Sequence, residues 1–215
     1  MGSGKSKSSS STFKLTYFNA RGRGEVARLC LAAAGVKFED VRVVRDDWPA
    51  LKPKMPLGFM PVLETDGKAP LSQSMAINRF LARRLGLYGC NDLEQAKIDE
   101  VMDTIADFNL ELTKTFFLNE EAAKAAAIKV LTDTTIPFNM EYLERTVKEN
   151  DTDSGYIVGR KLSVADIMVF NVLETLKSVV PSAVDKYPKV RDLGIKVGVN
   201  GNIARYVASR PKTEF

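Results

Sequence analysis

The 215-residue sequence contains no histidine, only two cysteines (Cys30 and Cys90) and a single tryptophan, Trp48. The lack of histidine excludes histidine-activated nucleophiles and metal sites built on imidazole ligands. Two cysteines cannot form a disulfide framework, so a reducing cytoplasm is the simplest expected location. Any catalysis must therefore use tyrosine, carboxylates, lysine, arginine or a bound cofactor.

Long apolar runs and a strong charge imbalance are also missing. No apolar segment approaches the roughly 20 residues of a membrane span, and no secretory signal is recognisable. The net charge of +4 is small and includes a basic N-terminal tail, so nucleic acid is not an expected partner. Hydrophobic residues make up 45% of the chain and charged residues 27%, which predicts one large or two small globular domains.

Residues 1–12, MGSGKSKSSSST, are of low complexity and predict a disordered tail. Met1-Gly2 followed by Ser6 fits the N-myristoylation pattern, and Lys5 and Lys7 lie close by. One acyl chain and two lysines would give only weak membrane association. An unmodified leader or linker is the alternative, and the sequence leaves it open.

The segment Phe13 to Glu25, FKLTYFNARGRGE, predicts a strand, a glycine-rich turn and the start of a helix. Tyr17 lies at the end of the strand, where its hydroxyl can point into a cleft at the sheet edge. The turn and the following helix N-terminus offer N–H groups to an anion. A half-buried edge tyrosine is the alternative. Cys30 lies on the apolar stripe of the helix, which indicates a buried and unreactive thiol.

Residues 45–60 are predicted as a loop in which Trp48 and Lys52 can both face a ligand carboxylate. Met60-Pro61 opens the next strand, and a cis bond is plausible there. A turn at 65–68 then reverses the chain. Ser74 is expected to cap a helix, and its hydroxyl and the helix N-terminus again indicate an anion site.

The remainder of the chain is predicted to be helical. On one long helix Asp99, Asp103 and Asp107 recur every four residues. Such an acidic row is either a solvated face or a face balanced by a metal ion, a partner arginine or a ligand amine. Further on, Ser163 and Asp166 have the spacing of a capping box, so this aspartate is interpreted as structural.

Five segments in the same order and spacing resemble the sigma-class glutathione transferases: LTYFNARGRGE, DWPALK, MPVLETDG, SQSMAI and VGRKLSVADI. The resemblance extends from about Phe13 to Phe215. It implies an α/β thioredoxin-like domain at residues 13–88, an all-α domain at residues 89–215, and a homodimer. It also implies that Tyr17 is catalytic. The positions that match the family's glutathione-binding residues are Arg23, Trp48, Lys52, Phe59, Met60, Pro61, Gln73 and Ser74, with Asp107 contributed by the other subunit.

The implied activity is attack by the glutathione thiolate on small hydrophobic electrophiles, with Tyr17 as a hydrogen-bond donor to sulfur. The alternatives are a glutathione-dependent prostaglandin D isomerase and a crystallin-like or ligand-carrying protein without enzymatic activity. Two departures weaken the isomerase alternative. Lys114 stands where that enzyme has a pocket tryptophan, and Ala106 stands where its metal-responsive cluster has a carboxylate. No metal site is therefore predicted.

Overall fold

The computed structural model describes residues 11–213. The predicted myristoylation pattern and most of the predicted disordered tail lie outside the described residues. Within residues 11–213, none of the helices combines the length and the apolar character that crossing a membrane requires.

Strands and helices alternate in the first part of the described chain, and only helices follow. The strands are β1 (Phe13–Phe18), β2 (Glu39–Val43), β3 (Val62–Thr65) and β4 (Leu71–Ser72). The helices between and after them are α1 (Glu25–Ala33), the short α2 (Trp48–Leu51) and α3 (Ser74–Leu85). The helical part contains α4 (Asp92–Lys114), α5 (Glu121–Val130), α6 (Ile136–Glu149), α7 (Val164–Val179), α8 (Pro188–Gly198) and α9 (Gly201–Ser209).

The four strands form one sheet in the order β2-β1-β3-β4. β1 pairs with β2 in parallel through the α1 crossover, and β3 pairs antiparallel with both β1 and β4. β1 is central and apolar, and Phe13 and Leu15 on its inward face are almost fully buried. This is the predicted thioredoxin-like α/β arrangement, followed by the predicted all-α part.

One apolar core joins the sheet side of the molecule to the helical side. α1 packs against α3, α7 and α9, and α7 packs against α4 and α8. Cys30 is fully buried in this core, and burial raises the pKa of its thiol to about 12. The prediction of an unreactive Cys30 is therefore confirmed.

Two predicted boundaries differ from the structure. The predicted loop at 45–60 contains helical turns at Arg45–Asp47, Trp48–Leu51 and Lys52–Lys54. Pro49 and Pro53 lie in the first turns of these pieces, where a missing N–H is tolerated. The sequence pattern also predicts two helices, near 121–133 and 137–149, and the structure joins them through a π-helical segment, Leu131–Thr135, instead of a break.

The capping box at the start of α7 is confirmed and is fully buried. The carboxylate of Asp166 accepts hydrogen bonds from the main-chain N–H of Ile157 at 2.7 Å, the N–H of Ser163 at 2.7 Å and the Ser163 hydroxyl at 2.6 Å. Burial raises the pKa of Asp166 to about 6 even though these donors oppose the shift. Asp166 thus satisfies the N-terminus of the central helix and fixes the chain that leads into it.

We expect Asp166→Ala to lower the free energy of unfolding by about 3–5 kcal/mol, because it removes a helix cap and leaves buried donors without an acceptor. Urea unfolding followed by circular dichroism measures the change. Asp151→Ala is the control: Asp151 is exposed in the preceding loop, and its loss should change the free energy by less than about 0.5 kcal/mol. Similar losses in both variants would contradict the structural role.

Candidate active site

Tyr17 is the penultimate residue of β1, and its hydroxyl is held by the turn that follows the strand. The main-chain N–H of Arg23 donates to the Tyr17 hydroxyl oxygen at 3.0 Å. Among the described residues this is the only hydrogen bond of that hydroxyl. Tyr17 is 9% exposed, so the ring is packed, and none of residues 11–213 accepts the hydroxyl proton. The arrangement leaves that proton available for a ligand.

Two glycines of the turn allow the backbone to lie directly on the Tyr17 ring. A Cβ atom at Gly24 would be 2.6 Å from Tyr17 Cδ1, and a Cβ atom at Gly22 would be 2.6 Å from the hydroxyl oxygen. Gly22 also has a φ of +38°, which side chains rarely adopt. Since Gly24 has an ordinary φ of −87°, the space beside the ring alone requires glycine there. The hydrogen bond from Arg23 depends on this close approach.

A small cluster around Tyr17 brings together several predicted site residues. Tyr17 and Met60 are buried in it, and Trp48 packs against it. The ring of Phe18 contacts Tyr17 edge-on at 5.6 Å between centroids and Trp48 at 5.3 Å. The structure therefore places Trp48 beside the tyrosine, as expected for a shared site.

The sheet register aligns Tyr17 with two more predicted positions. Thr16 pairs with Val62 on β3, and Val62 pairs with Ser72 on β4. The next positions in this antiparallel register are Tyr17, Pro61 and Gln73, which therefore follow one another across the same edge of the sheet. The Met60–Pro61 peptide bond is cis, which confirms that prediction.

The start of α3 differs from the predicted cap. Ser74 is the first helical residue, and Gln73 occupies the N-cap position without a side-chain hydrogen bond to the helix. Gln73 has a φ of +73°, a left-handed conformation that costs a non-glycine residue about 1–3 kcal/mol. Its side chain is exposed, and it lies at the positive end of a 12-residue helix. The prediction that Ser74 caps α3 is therefore wrong. The N-terminus of α3 nevertheless has the geometry of an anion site.

Four further predicted site residues differ in how exposed they are. Arg23, Lys52 and Phe59 are exposed, with Phe59 at 40%. Pro61, one of the predicted glutathione-binding positions, is buried. Arg23, in the turn after β1, and Lys52, between β2 and β3, are thus both exposed cations.

The acidic row on α4 is balanced from within the chain over most of its length. The guanidinium of Arg79 on α3 donates to Asp99 at 2.6 Å and to Asp103 at 2.5 Å. Tyr88 also donates to Asp99 at 2.5 Å. Asp107 is exposed and has no ion pair among the described residues. Of the three predicted counter-ions, an arginine is therefore present for two of the aspartates.

Sequence reasoning missed the ionic cluster behind the turn. Arg28 and Glu25 on α1 are both fully buried, and Arg28 also pairs with Asp40 at 2.9 Å. A charged residue three positions after another on a helix stripe is the signal that could have indicated a buried pair. The pattern alone cannot separate such a pair from a solvent-exposed one.

We expect Gly24→Ala to destabilise the protein by about 1–3 kcal/mol, because the new methyl group overlaps the Tyr17 ring and forces it to move. Urea unfolding gives the stability, and tyrosine fluorescence reports the altered environment. Gly201→Ala is a matched control, since a Cβ atom there meets nothing within 4 Å. That control should be neutral or stabilising by up to about 1 kcal/mol. A Gly24→Ala variant as stable as the control would contradict the close packing.

Comparisons with known proteins match almost the whole chain. Residues 13–83 match the glutathione S-transferase N-terminal domain, and residues 106–210 match the glutathione S-transferase C-terminal domain. Glutathione S-transferase 1 of Ascaris suum is 38% identical, covering 94% of this chain and 98% of that protein. The hematopoietic prostaglandin D synthase of Gallus gallus is 38% identical over 94% of this chain and 98% of its own length. The solved structure of the Fasciola hepatica sigma class transferase superposes with a TM-score of 0.87 at 30% identity, covering 96% of this chain and 100% of that one.

Proposed function

This chain belongs to the glutathione S-transferase family, and from that premise we propose that Tyr17 activates the glutathione thiol for attack on small hydrophobic electrophiles. The observation that carries the proposal is the hydrogen bond from the Arg23 N–H to the Tyr17 hydroxyl at 3.0 Å. With its oxygen accepting from the main chain, the hydroxyl keeps its proton free to donate to a ligand. A bound sulfur anion is the acceptor that this geometry suits.

The size of the effect follows from simple thermodynamics. A free thiol has a pKa of about 8.5 and is mostly protonated at neutral pH. A hydrogen bond to a charged acceptor contributes about 1.5–3 kcal/mol, and one pKa unit corresponds to about 1.4 kcal/mol. Donation from Tyr17 can therefore lower the thiol pKa by about one to two units. The nucleophile forms without histidine, in agreement with its absence from the sequence.

We further propose that the sheet edge binds glutathione in an extended conformation across the strand ends. The main chain of Met60 pairs with the cysteinyl part, next to the cis bond to Pro61. Gln73, Ser74 and the N-terminus of α3 hold the γ-glutamyl carboxylate. Arg23, Trp48, Lys52 and Phe59 complete the site, with the cations facing the remaining carboxylate. Residues 13–88 would act as the glutathione-binding domain and residues 89–215 as the helical domain.

Replacing Tyr17 by phenylalanine tests the central claim. We expect Tyr17→Phe to raise the thiol pKa of bound glutathione by about one to two units, because sulfur loses a donor. Thiolate absorbance against pH measures this shift, and turnover of a chloronitrobenzene substrate should fall by over about 90% at neutral pH. Tyr187→Phe is the control: it removes a partly exposed phenol far along the chain and should change neither quantity.

An unchanged thiol pKa in Tyr17→Phe would show that the tyrosine does not stabilise the thiolate. Loss of glutathione binding in that variant would likewise contradict a role confined to sulfur, because the carboxylate contacts remain. Calorimetric titration with glutathione separates these two outcomes.

A homodimer would complete the site through Asp107. The other two aspartates of the row pair with Arg79, whereas Asp107 is exposed and without an ion pair among the described residues. The exposed Asp107 carboxylate on α4 therefore suits the α-amine of a γ-glutamyl group that is bound to a second copy of the chain. We propose that each site takes Tyr17 from one subunit and Asp107 from the other.

Mixed dimers distinguish this arrangement from one in which both residues act in the same subunit. We expect Asp107→Asn to weaken glutathione binding by about 1–3 kcal/mol, because the ligand amine loses its charged partner. Refolding Tyr17→Phe together with Asp107→Asn should restore activity, since one site in each mixed dimer then has both native residues. Asp103→Asn mixed with Tyr17→Phe is the control for subunit exchange. No recovery in a confirmed mixed dimer would place both residues in one subunit.

The isomerase and crystallin alternatives rest on weaker observations. The prostaglandin D synthase relative makes isomerisation of prostaglandin H2 worth testing. Lys114, however, is exposed and paired with Glu111 at 2.5 Å, so it presents no aromatic wall. Trp48 packs against the cluster that contains the buried Tyr17. This arrangement suits an active site better than it suits a purely structural protein. We favour the transferase over both.

Location in the cytoplasm and a role in detoxification are part of the same proposal. Reduced Cys30 and Cys90 agree with a reducing compartment. Myristoylation of Gly2 and weak membrane association remain predictions from the tail, which lies outside the described residues.

A further inference from the structure

Arg28 on α1 is a fully buried cation whose hydrogen bonds converge on the turn beside Tyr17. Its guanidinium donates to the main-chain carbonyl of Phe18 at 3.2 Å and to that of Ala20 at 2.6 Å. It also donates to the carboxylates of Asp40 at 2.9 Å and Glu25 at 3.4 Å, which balance its charge. All three nitrogens of the side chain are therefore used, and two of them fix the backbone on either side of Asn19.

The same guanidinium lies over the Tyr17 ring, 5.7 Å from its centroid, which is within range of a cation–π contact. Arg28 thus touches the tyrosine from one side and fixes the start of the turn whose far end carries the Arg23 N–H. That N–H holds the Tyr17 hydroxyl at 3.0 Å. The direction of the hydroxyl proton depends on where this turn lies.

A second group of contacts ties the cluster to the end of the chain. Arg210, just after α9, donates to Glu25 at 2.7 Å, and the Tyr206 hydroxyl donates to the same carboxylate at 3.2 Å. Glu25 is fully buried, so these contacts are shielded from solvent. Arg210 also lies 3.6 Å from Glu174 on α7. The C-terminal segment thereby holds the carboxylate that contacts Arg28.

We propose that Arg28 is a positioning residue for thiolate formation: it fixes the turn after β1 so that the Tyr17 hydroxyl points at sulfur, and Arg210 anchors it from the helical part. This inference rests on the proposed role of Tyr17. Arg28 acts through the tyrosine and the turn, and it does not touch the bound glutathione itself.

Lysine cannot replace arginine in this position without losing the effect. A guanidinium presents five donors in a rigid fork and can reach two carbonyls and two carboxylates together, whereas an ammonium group offers three donors from one point. Arg28→Lys keeps the buried charge and most of the volume. It therefore removes the fork while leaving the ionic balance with Asp40 and Glu25 in place.

The first experiment measures the thiol pKa of bound glutathione in the full-length protein. We expect Arg28→Lys to raise it by about half to one unit, with kcat/KM at about pH 6.5 lower by about threefold to tenfold. The deficit should vanish at high pH, where the thiolate forms in both proteins. The KM for glutathione should change by less than about twofold, since the carboxylate contacts are untouched. An unchanged thiol pKa would overturn the inference.

A double-mutant cycle with Tyr17→Phe tests whether Arg28 works through the tyrosine. Arg28→Lys should shift the thiol pKa in the Tyr17 protein and have no effect in the Tyr17→Phe protein. An equal shift in both backgrounds would mean that Arg28 acts on sulfur without the tyrosine, which overturns the inference. If Tyr17→Phe alone leaves the thiol pKa unchanged, the proposed function fails first, so the two failures are distinguishable.

Arg210→Gln keeps the inference testable if Arg28→Lys does not fold. Arg210 is near the surface end of the cluster, and its loss should lower kcat/KM at neutral pH by about twofold to threefold through the same rise in thiol pKa. Lys212→Gln is the matched control, because Lys212 is an exposed cation two residues further on. An Arg210→Gln protein with the thiol pKa of the control would overturn the anchoring role.

Discussion

The structure around the site depends on the close approach of the turn at 19–24 to the Tyr17 ring. On the side of the turn the phenol packs directly against backbone, because a side chain at position 22 or 24 would overlap the ring. That contact brings the Arg23 N–H to the hydroxyl oxygen and so determines which way its proton can point. A shift of a few tenths of an ångström in the turn would change the hydrogen bond, and with it the proposed chemistry.

The buried Arg28 cluster supports this turn on one side. The other side of the turn is left open to solvent, where an anionic ligand could approach. Behind the turn, the fully buried Arg28 pairs with the fully buried Glu25 and the partly exposed Asp40, since a buried ion without a partner would be costly. On the other side of the turn, Arg23 is exposed to solvent. The buried cluster thus contributes rigidity to the turn.

The helical part contributes to the site through long-range contacts. α1, which begins immediately after the turn, packs against α7 and α9, and Asp166 holds the start of α7 in place. Arg210 reaches Glu25 across 185 positions of sequence. The position of a residue at the tip of the first strand is therefore determined partly by the last described helix.

The sequence by itself determined the strand, turn and helix start at Phe13 to Glu25, the unreactive Cys30, the cis Met60–Pro61 bond and the capping box at Ser163, because each depends on local spacing or on one residue's chemistry. It could not predict that Gln73, not Ser74, is the N-cap residue of α3, since serine is the commoner cap and a positive φ at glutamine has no local sequence signal. Nor could it show that Arg79 balances Asp99 and Asp103, or that Arg28 is buried beneath the turn. Only the tertiary structure decided these, because a charge pattern on one helix does not reveal which partner faces it.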